Sequence, residues 1–339
     1  MGLDVIIGWV SVLQYTYDGL PVAPEEPSGA AILVRRPVPG AAGPGAREYL
    51  MLHRAHRGPA YEGDWAWTPP SGARQPGEAV LPAALRELAE ETGLEPGPAE
   101  LRALDLSGPW ARFGLDLPAG THARVDPEHD RLEWVSPQAA MSRCRPAAVA
   151  GGIAIAEAAI APAVSFRPLA SADLPALVGW QRAPHVARWF GGQLDLAAAQ
   201  RKYGPRIAGE SPTRVHVAAV AGQDAGFLQH YRVGDYPDYA AATGLPDAVG
   251  IDYAIGDAGL TRRGLGPQLV WAYIRDVVRP AHPAARHVLA SPDAANGPSI
   301  RALEKAGFSQ DARIAVAGQP EPEQLCVLDL VRFFGKVAA

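Results

Sequence analysis

One segment of the chain, residues 72–94, restricts the possible fold more than any other feature. Three leucines recur in it at helical spacing, namely Leu81, Leu85 and Leu88. Gly93 is a typical C-terminal stop. Pro82 is compatible with a helix only in the first turn, where backbone N–H groups lack intrahelical partners. The segment therefore predicts an amphipathic helix that ends at Gly93.

Three glutamates share one face of this predicted helix. Glu87, Glu90 and Glu91 stand at positions i, i+3 and i+4, so their carboxylates crowd together and repel one another. A hard cation such as Mg²⁺ or Mn²⁺ among their oxygens would relieve that repulsion. A solvated acidic helix face is the alternative explanation for three glutamates at this spacing alone.

The surrounding residues favour the metal site. Every fixed position of the Nudix box, G-x5-E-x7-R-E-U-x-E-E-x-G-U with U a bulky aliphatic residue, is matched by Gly72, Glu78 and the run Arg86–Leu94. Residues 25–150 therefore resemble a Nudix hydrolase. This resemblance implies an α/β/α sandwich and metal-dependent cleavage of a phosphoanhydride, in which nucleotide, nucleotide sugar and dinucleotide substrates all stay open.

The resemblance also implies individual roles in this half. The metal ligands would be Gly72 (through its carbonyl), Glu87, Glu90, Glu91 and Glu128. Glu128 is chosen from a later loop that also offers Asp126, Asp130 and Glu133. Arg86 and Glu78 would position the carboxylates. Glu90 and Glu91 are the candidate catalytic residues, because a carboxylate that the metal leaves free can take a proton.

The hydrophobic pattern divides the chain into two halves, residues 1–160 and 161–339. Besides the box helix, the first half is predicted to contain strands at 30–34, 48–54 and 131–135 and a short helix at 138–143. Strands in the second half are predicted at 165–169, 214–221, 225–232, 248–255, 286–290 and 325–331. Its helices are predicted at 172–182, 194–208, 268–278 and 298–306.

A glycine-rich turn follows the strand at 248–255. The run Arg263-Gly264-Leu265-Gly266 opens a helix whose free N–H groups form a cradle for an anion. The helical run Ile300–Phe308 follows further along. This order resembles a GNAT acetyltransferase, which implies a mixed-sheet domain in an overall α/β (α+β) chain. The resemblance places acetyl-CoA on Arg262, Arg263, Gly264, Leu265, Gly266 and Asn296.

A second motif narrows this resemblance. The segment Trp180–Gly192 is similar to the W-x4-H-x3-W-(W/F)-G-G segment of aminoglycoside 6'-N-acetyltransferases. The likeness spans about residues 165–332 and implies Asp252 as the proton acceptor. It implies acceptor contacts at Trp180, Tyr203, Glu210, Gln229, Tyr231 and Asp238, with one more carboxylate from Glu321 or Glu323.

The charge pattern agrees with a cationic acceptor. No basic residue lies between Arg232 and Arg262, whereas that stretch contains Asp235, Asp238, Asp247, Asp252 and Asp257. Such a stretch attracts a polycationic amine, although an acidic surface loop is an alternative for its outer members. Asp252 lies inside a predicted strand, where a carboxylate needs a partner, and it can deprotonate an attacking ammonium.

Two positions depart from the pattern of these enzymes. Leu303 stands where a tyrosine often protonates the leaving thiolate, so Tyr239, Ser299 or water would have to replace it. Ser291 stands where an aspartate is common. Because Leu303 also suits siderophore-type lysine N-acyltransferases, that acceptor class is the alternative. A Nudix half that acts only as a binding or scaffolding module is a further alternative.

Composition limits the partners and the compartment. The net charge of -5 and a pI of about 6.0 argue against a general nucleic-acid binder. Cys144 and Cys326 are too few for a disulfide framework, which favours a reducing cytoplasm. The apolar start, Met1–Tyr15, lacks the positive region of a signal peptide, and Ala147–Val164 is a poor membrane span. We therefore expect a cytoplasmic, bifunctional enzyme of small molecules, with its oligomeric state open.

Overall fold

The computed structural model describes residues 15–16, 19–40, 46–190, 194–316 and 321–336, which form two seven-stranded mixed sheets. The first sheet contains β1 (Gly29–Pro37), β2 (Arg47–Arg54), β3 (Trp67–Thr68), β4 (Ser71–Ala73), β5 (Arg102–Asp105), β6 (Trp110–Asp116) and β7 (His129–Val135). Three helices accompany it: α1 (Val80–Thr92), α2 (Pro137–Arg143) and α3 (Ala147–Ala158).

Strand β1 runs through the middle of the first sheet, parallel to β6 and antiparallel to β2 and β4. It is apolar along most of its length because both of its faces are covered. Ile32 and Val34 join Leu88 of α1 in one apolar cluster, whereas Leu33 joins Ile153 of α3 in another. The sheet therefore lies between helices on both sides, which confirms the predicted α/β/α arrangement.

The second sheet has the order β13-β14-β12-β11-β10-β9-β8. Its strands are β8 (Val164–Pro168), β9 (Arg214–Val220), β10 (Gln223–Arg232), β11 (Val249–Ile255), β12 (His287–Ala290), β13 (Ser309–Ile314) and β14 (Glu323–Asp329). Its helices are α4 (Leu174–Arg182), α5 (Pro184–Phe190), α6 (Leu196–Ile207), α7 (Pro237–Thr243), α8 (Leu265–Tyr273), α9 (Arg279–Ala281), α10 (Gly297–Lys305) and α11 (Leu330–Phe334). A π-helical turn, Ile274–Val278, joins α8 to α9.

Strands β11 and β12 are the parallel pair of this sheet. Their pairing is limited to Val249 with Val288 and Gly250 with Leu289. Strand β12 has only four residues, so the edge of β11 beyond Gly250 is not covered by it. The uncovered part of β11 contains Asp252, the predicted proton acceptor.

The two halves are joined by packed apolar surface. Trp271 of α8 is fully buried, and its ring lies 5.8 Å from Phe113 of β6 and stacks at 4.2 Å on Phe334 of α11. Arg275 donates hydrogen bonds of 3.3 Å to the carbonyls of Pro98 and Leu101 in the first half. Aromatic side chains of this size dominate the energetics of cores and interfaces. The structure thus has one continuous core cluster across both sheets.

Most of the predicted elements are present with bounds shifted by a few residues. The box helix ends as predicted, because Gly93 adopts the left-handed conformation (φ 68°) that favours glycine at this position. The sequence does not predict helices α3, α5, α7, α9 and α11 or strands β3, β4, β5, β6 and β13. Helix α3 is nearly uniformly apolar and α7 is short, so neither has the amphipathic pattern on which sequence prediction depends.

Three smaller points concern the cysteines, membrane spans and the Trp180–Gly192 motif. Cys144 and Cys326 are both free and buried. Within the described ranges, no helix combines the length and the apolar character needed to cross a membrane. Gly191 and Gly192, the end of the Trp180–Gly192 motif, lie outside the described residues.

Candidate active sites

The predicted metal ligands of the first half line one cavity of about 400 Å³. They are Gly72, Glu87, Glu90, Glu91 and Glu128. Helix α1 contributes the three clustered glutamates, β4 contributes Gly72, and Glu128 comes from the loop before β7. The fold therefore brings a residue 37 positions beyond Glu91 to the same cavity as the box.

Gly72 makes room for a carboxylate. A Cβ atom at this position would lie 2.0 Å from Cδ of Glu87, far inside van der Waals contact. Glycine is therefore the residue that lets Glu87 reach β4. Burial raises the pKa of Glu87, an effect that the neighbouring Arg86 opposes. A half-buried carboxylate packed against the backbone at Gly72 is a suitable ligand for a hard cation.

Glu91 is the most buried of the clustered carboxylates, with 4% of its surface exposed. Its Oε2 accepts a hydrogen bond of 2.7 Å from the backbone N–H of Ser71. Burial nevertheless raises its pKa well above the ordinary value, and the carboxylates of Glu87 and Asp126 add to this shift. This contact uses the backbone of Ser71 and not its side chain.

Arg86 donates hydrogen bonds to the other two glutamates of the helix, Glu87 and Glu90. Its guanidinium is bidentate on Glu78 (2.8 and 2.9 Å) and reaches Glu87 at 2.8 Å and Glu90 at 2.9 Å through one nitrogen. With this nitrogen between Glu87 and Glu90, no group of three His, Cys, Asp or Glu side chains in the described part of the chain is assembled as a metal cage. The side chain of Glu90 is 58% exposed, so its ion pair with Arg86 is weak.

Sequence reasoning missed a histidine behind this cavity. His129 is buried, its Nδ1 lies 2.7 Å from Asp126 Oδ1, and its Nε2 lies 3.8 Å from Glu91 Oε1 without a hydrogen-bond partner. Arg54, whose Nε is also buried and unpaired, lines the cavity. Neither residue belongs to the box. Their position beside the cavity follows only from the pairing of β2 with β7 in the folded sheet.

A second cavity, of about 250 Å³, surrounds Asp252 in the other half. Gln229 stands opposite Asp252 in the β10–β11 ladder and donates a hydrogen bond of 2.6 Å to Asp252 Oδ2. The Oε1 atom of Gln229 accepts from Arg206 at 2.7 Å, which fixes the orientation of the amide. Burial raises the pKa of Asp252, against the lowering effect of Gln229.

A second carboxylate faces this cavity. Glu323 begins β14, and burial together with Asp252 and Asp293 raises its pKa to about 7. Tyr239 and Ser291 also line the cavity, with their hydroxyl oxygens 2.7 Å apart. Glu323 was one of two alternatives in the sequence, and the helix that carries Tyr239 was not predicted.

The predicted acceptor contacts are only partly brought together. Gln229 and Tyr231 line the cavity of Asp252. The ring of Tyr231 lies against Gly250, where a Cβ would be 2.5 Å from it. The remaining predicted contacts, Trp180, Tyr203, Glu210 and Asp238, do not line this cavity.

The reasons differ among these four residues. Tyr203 is 1% exposed and lies in a core cluster, and its hydroxyl accepts a hydrogen bond of 2.6 Å from Gln181. Trp180 packs on Gly256. Glu210 and Asp238 are exposed and face solvent at the ends of α6 and α7.

The predicted anion cradle lies at the start of α8. Gly264 is the N-cap with φ 67° and is exposed, as are Arg262 and Arg263. Leu265 is buried, so it offers its backbone N–H and not its side chain. The first N–H groups of a helix lack intrahelical acceptors. Gly266 packs near Ala302 of α10, where a Cβ would be 3.1 Å away.

The helix beyond the cradle carries the other predicted cofactor residue. Asn296 caps α10 by accepting from the Ser299 N–H at 3.3 Å. Leu303, in the place of the usual tyrosine, is fully buried, and the Ser299 hydroxyl lies 3.0 Å from that of Tyr253. A larger cavity of about 670 Å³ lies between residues 244–249 and 282–287 and contains none of the predicted site residues.

Comparison with protein families assigns both halves. A model described as a NUDIX domain matches residues 34–152, and a model described as an acetyltransferase (GNAT) domain matches residues 170–316. No curated protein matches the sequence.

Solved structures are also similar to this chain. Two structures of the aminoglycoside acetyltransferase AAC(6')-Ib, one with coenzyme A and one with paromomycin and acetyl-CoA, are each 26% identical to it with a TM-score of 0.45. Each covers 49% of this chain, and the matches cover 95% and 93% of theirs. An aminoglycoside N(6')-acetyltransferase from Legionella pneumophila is 19% identical over 50% of this chain and 94% of its own, with a TM-score of 0.40. From the two family matches, this chain carries a NUDIX domain followed by a GNAT acetyltransferase domain.

Proposed function

We propose that this chain is a bifunctional enzyme that hydrolyses a nucleoside-diphosphate-linked substrate with Mg²⁺ or Mn²⁺ and acetylates a primary amine with acetyl-CoA. The amine that the residues favour is that of a polycationic sugar, such as an aminoglycoside 6'-amine. The observation that supports the transferase most directly is the cavity that combines Asp252 with a second carboxylate, Glu323.

The hydrolase proposal depends on the carboxylates around Gly72. Glu91 is buried and Glu87 is half-buried, and burial raises the pKa of both, so a divalent cation would stabilise their ionised carboxylates. Glu90 would leave its exposed ion pair with Arg86 to complete the site. A bound cation would supply Lewis-acid charge against the diphosphate oxygens. Glu128, from the loop before β7, would add a further carboxylate to the metal site.

The acetyl-CoA proposal depends on two features of the second sheet. The N–H groups at the start of α8, where Gly264 is exposed and Gly266 is half-buried, suit the pyrophosphate of coenzyme A, with Arg262 and Arg263 adding positive charge. The uncovered edge of β11 beyond Gly250 leaves room for the extended pantetheine arm. Pro267 removes one N–H from the first turn, which the two arginines offset.

Asp252 would act as the general base in acetyl transfer. The acceptor nitrogen forms a bond to the thioester carbonyl carbon, its proton passes to the Asp252 carboxylate, and the C–S bond breaks to release coenzyme A as its thiolate. The desolvated carboxylate is a stronger base than a free aspartate, since burial raises its pKa. Glu323 would hold a second ammonium of the acceptor. That second carboxylate favours a polyamine over a single lysine side chain, the acceptor of the alternative class.

Binding and product analysis test both halves. Calorimetry should show that the chain binds acetyl-CoA, and binds Mg²⁺ in a manner lost in Glu91→Gln. Mass spectrometry of an amine panel containing kanamycin-type sugars and lysine derivatives should show an acetyl group added to the sugars. A panel of nucleotides, nucleotide sugars and dinucleotides should show metal-dependent phosphate release. A chain that binds neither ligand would be a scaffold, and acetylated lysine derivatives alone would favour the alternative acceptor.

A further inference from the structure

The proposed coenzyme cradle is held in place from outside its own domain. The carbonyl of Arg263 accepts a hydrogen bond of 2.9 Å from the N–H of Ile160, which lies two residues beyond the last helix of the first half. Gly264 packs on Ala159, so closely that a Cβ on the glycine would lie 2.9 Å from the alanine Cβ. The segment that leaves the NUDIX half therefore contacts the cradle directly.

One glutamine connects these contacts. Gln268 of α8 is 3% exposed, and its amide nitrogen donates to the carbonyls of Gly264 and Ile160, each at 2.8 Å. Its oxygen accepts a hydrogen bond of 3.0 Å from Arg102, a residue of β5 in the NUDIX sheet. Both hydrogens and the oxygen of the amide are engaged. A buried amide that is fully satisfied has one favoured orientation.

The chain of contacts continues into the NUDIX core. Arg102 is also paired with Asp116, which in turn pairs with the buried Arg35. Burial alone would raise the pKa of Asp116, but the two guanidinium groups lower it. Arg35 further donates to the carbonyl of Ala156 at 3.1 Å, near the end of α3. Arg102 therefore cannot turn away from Gln268 without disturbing its ion pair with Asp116, the partner of the buried Arg35.

We infer that Arg102 and Gln268 are positioning residues for acetyl-CoA, so that the NUDIX half supplies part of the support of the transferase site. This inference rests on the acetyl-CoA site proposed above. Gln268 fixes the Gly264 carbonyl, and Arg102 fixes Gln268, so the N–H groups at the start of α8 keep the direction in which a pyrophosphate needs them. Preorganised N–H groups bind an anion without a reorganisation cost at the moment of binding.

Substitutions in the full-length chain test this inference. Gln268→Leu removes the amide at similar volume, and Arg102→Met removes its donor while Asp116 keeps Arg35. Each should weaken acetyl-CoA binding, measured by calorimetry and as KM, by about tenfold, which is equivalent to about 1.4 kcal/mol. The amine KM and the metal-dependent hydrolysis should stay unchanged. Arg102→Lys, which keeps a cationic donor, should recover most of the affinity.

A matched control separates positioning from general stability. Arg275→Met removes another arginine that donates to carbonyls of the first half, those of Pro98 and Leu101, and it should leave the acetyl-CoA KM unchanged. The double variant of Arg102 and Gln268 should lose no more affinity than the worse single variant, because the two act through one hydrogen bond.

The outcomes distinguish this inference from the function on which it rests. A wild-type chain that does not bind acetyl-CoA overturns both. A wild-type chain that binds while Gln268→Leu and Arg102→Met bind equally well overturns only the positioning role. Parallel losses of affinity in these two variants and in Arg275→Met, together with a lower unfolding temperature in all three, would also overturn it.

Discussion

The substitution Asp252→Asn should separate proton acceptance from every other property of the acceptor cavity. Gln229 donates to position 252 through its amide nitrogen, and its oxygen is occupied by Arg206, so position 252 must present an acceptor to Gln229. Asparagine meets this demand with its carbonyl oxygen. Its NH₂ group then faces the cavity, where it cannot take a proton.

The size of the effect follows from this geometry. The hydrogen bond to Gln229 and the side-chain volume are kept, so the loss should be that of a general base, about a hundredfold in kcat/KM or about 2.7 kcal/mol. Since burial disfavours the ionised carboxylate of Asp252, the neutral amide should not lower the unfolding temperature. The acetyl-CoA affinity should also stay near that of the wild type.

Steady-state kinetics with a fixed amine and saturating acetyl-CoA would measure this, alongside a thermal melt of each variant. Glu323→Gln is the matched control, because it neutralises the other carboxylate of the same cavity. It should raise the acceptor KM with a smaller change in kcat. An unchanged kcat/KM in Asp252→Asn would refute the assignment of the base, and a loss confined to KM would make Asp252 a binding residue instead.

Two other predictions concern the remaining carboxylates. Glu91→Gln should abolish metal-dependent hydrolysis and leave acetyl transfer intact, because Glu91 lines the NUDIX cavity and not the cavity of Asp252. Product assays of both reactions would check this prediction. A fall in both activities would show that the two sites are coupled. Burial and nearby carboxylates raise the pKa of Glu323 to about 7, so Glu323 gains its negative charge as the pH rises through that value. The acceptor KM should therefore fall between about pH 6 and pH 8. A pH profile of KM that is the same in Glu323→Gln as in the wild type would contradict this prediction. Because the pKa of Glu323 is raised in the folded protein, the free energy of unfolding should also lose the contribution of Glu323 as the pH rises through about 7.

Local sequence was sufficient for the parts of the sites that lie within one element. The helix that carries Glu87, Glu90 and Glu91 follows from its leucine spacing, and its end follows from Gly93, because both depend on neighbours within two turns. The same holds for Asp252, whose position inside a strand predicts a desolvated carboxylate. The two family assignments followed from such motifs and were confirmed by the family matches.

The tertiary structure decided which distant side chains complete each cavity. Glu323 reaches Asp252 only because β14 lies beside β12, and Arg102 reaches Gln268 across 166 positions of the chain. It also decided that Tyr203 belongs to the core, since a buried tyrosine and a ligand-binding tyrosine have the same pattern in sequence. Hydrophobic periodicity reports which face of an element is covered, whereas the identity of what covers it depends on contacts between elements far apart in the chain.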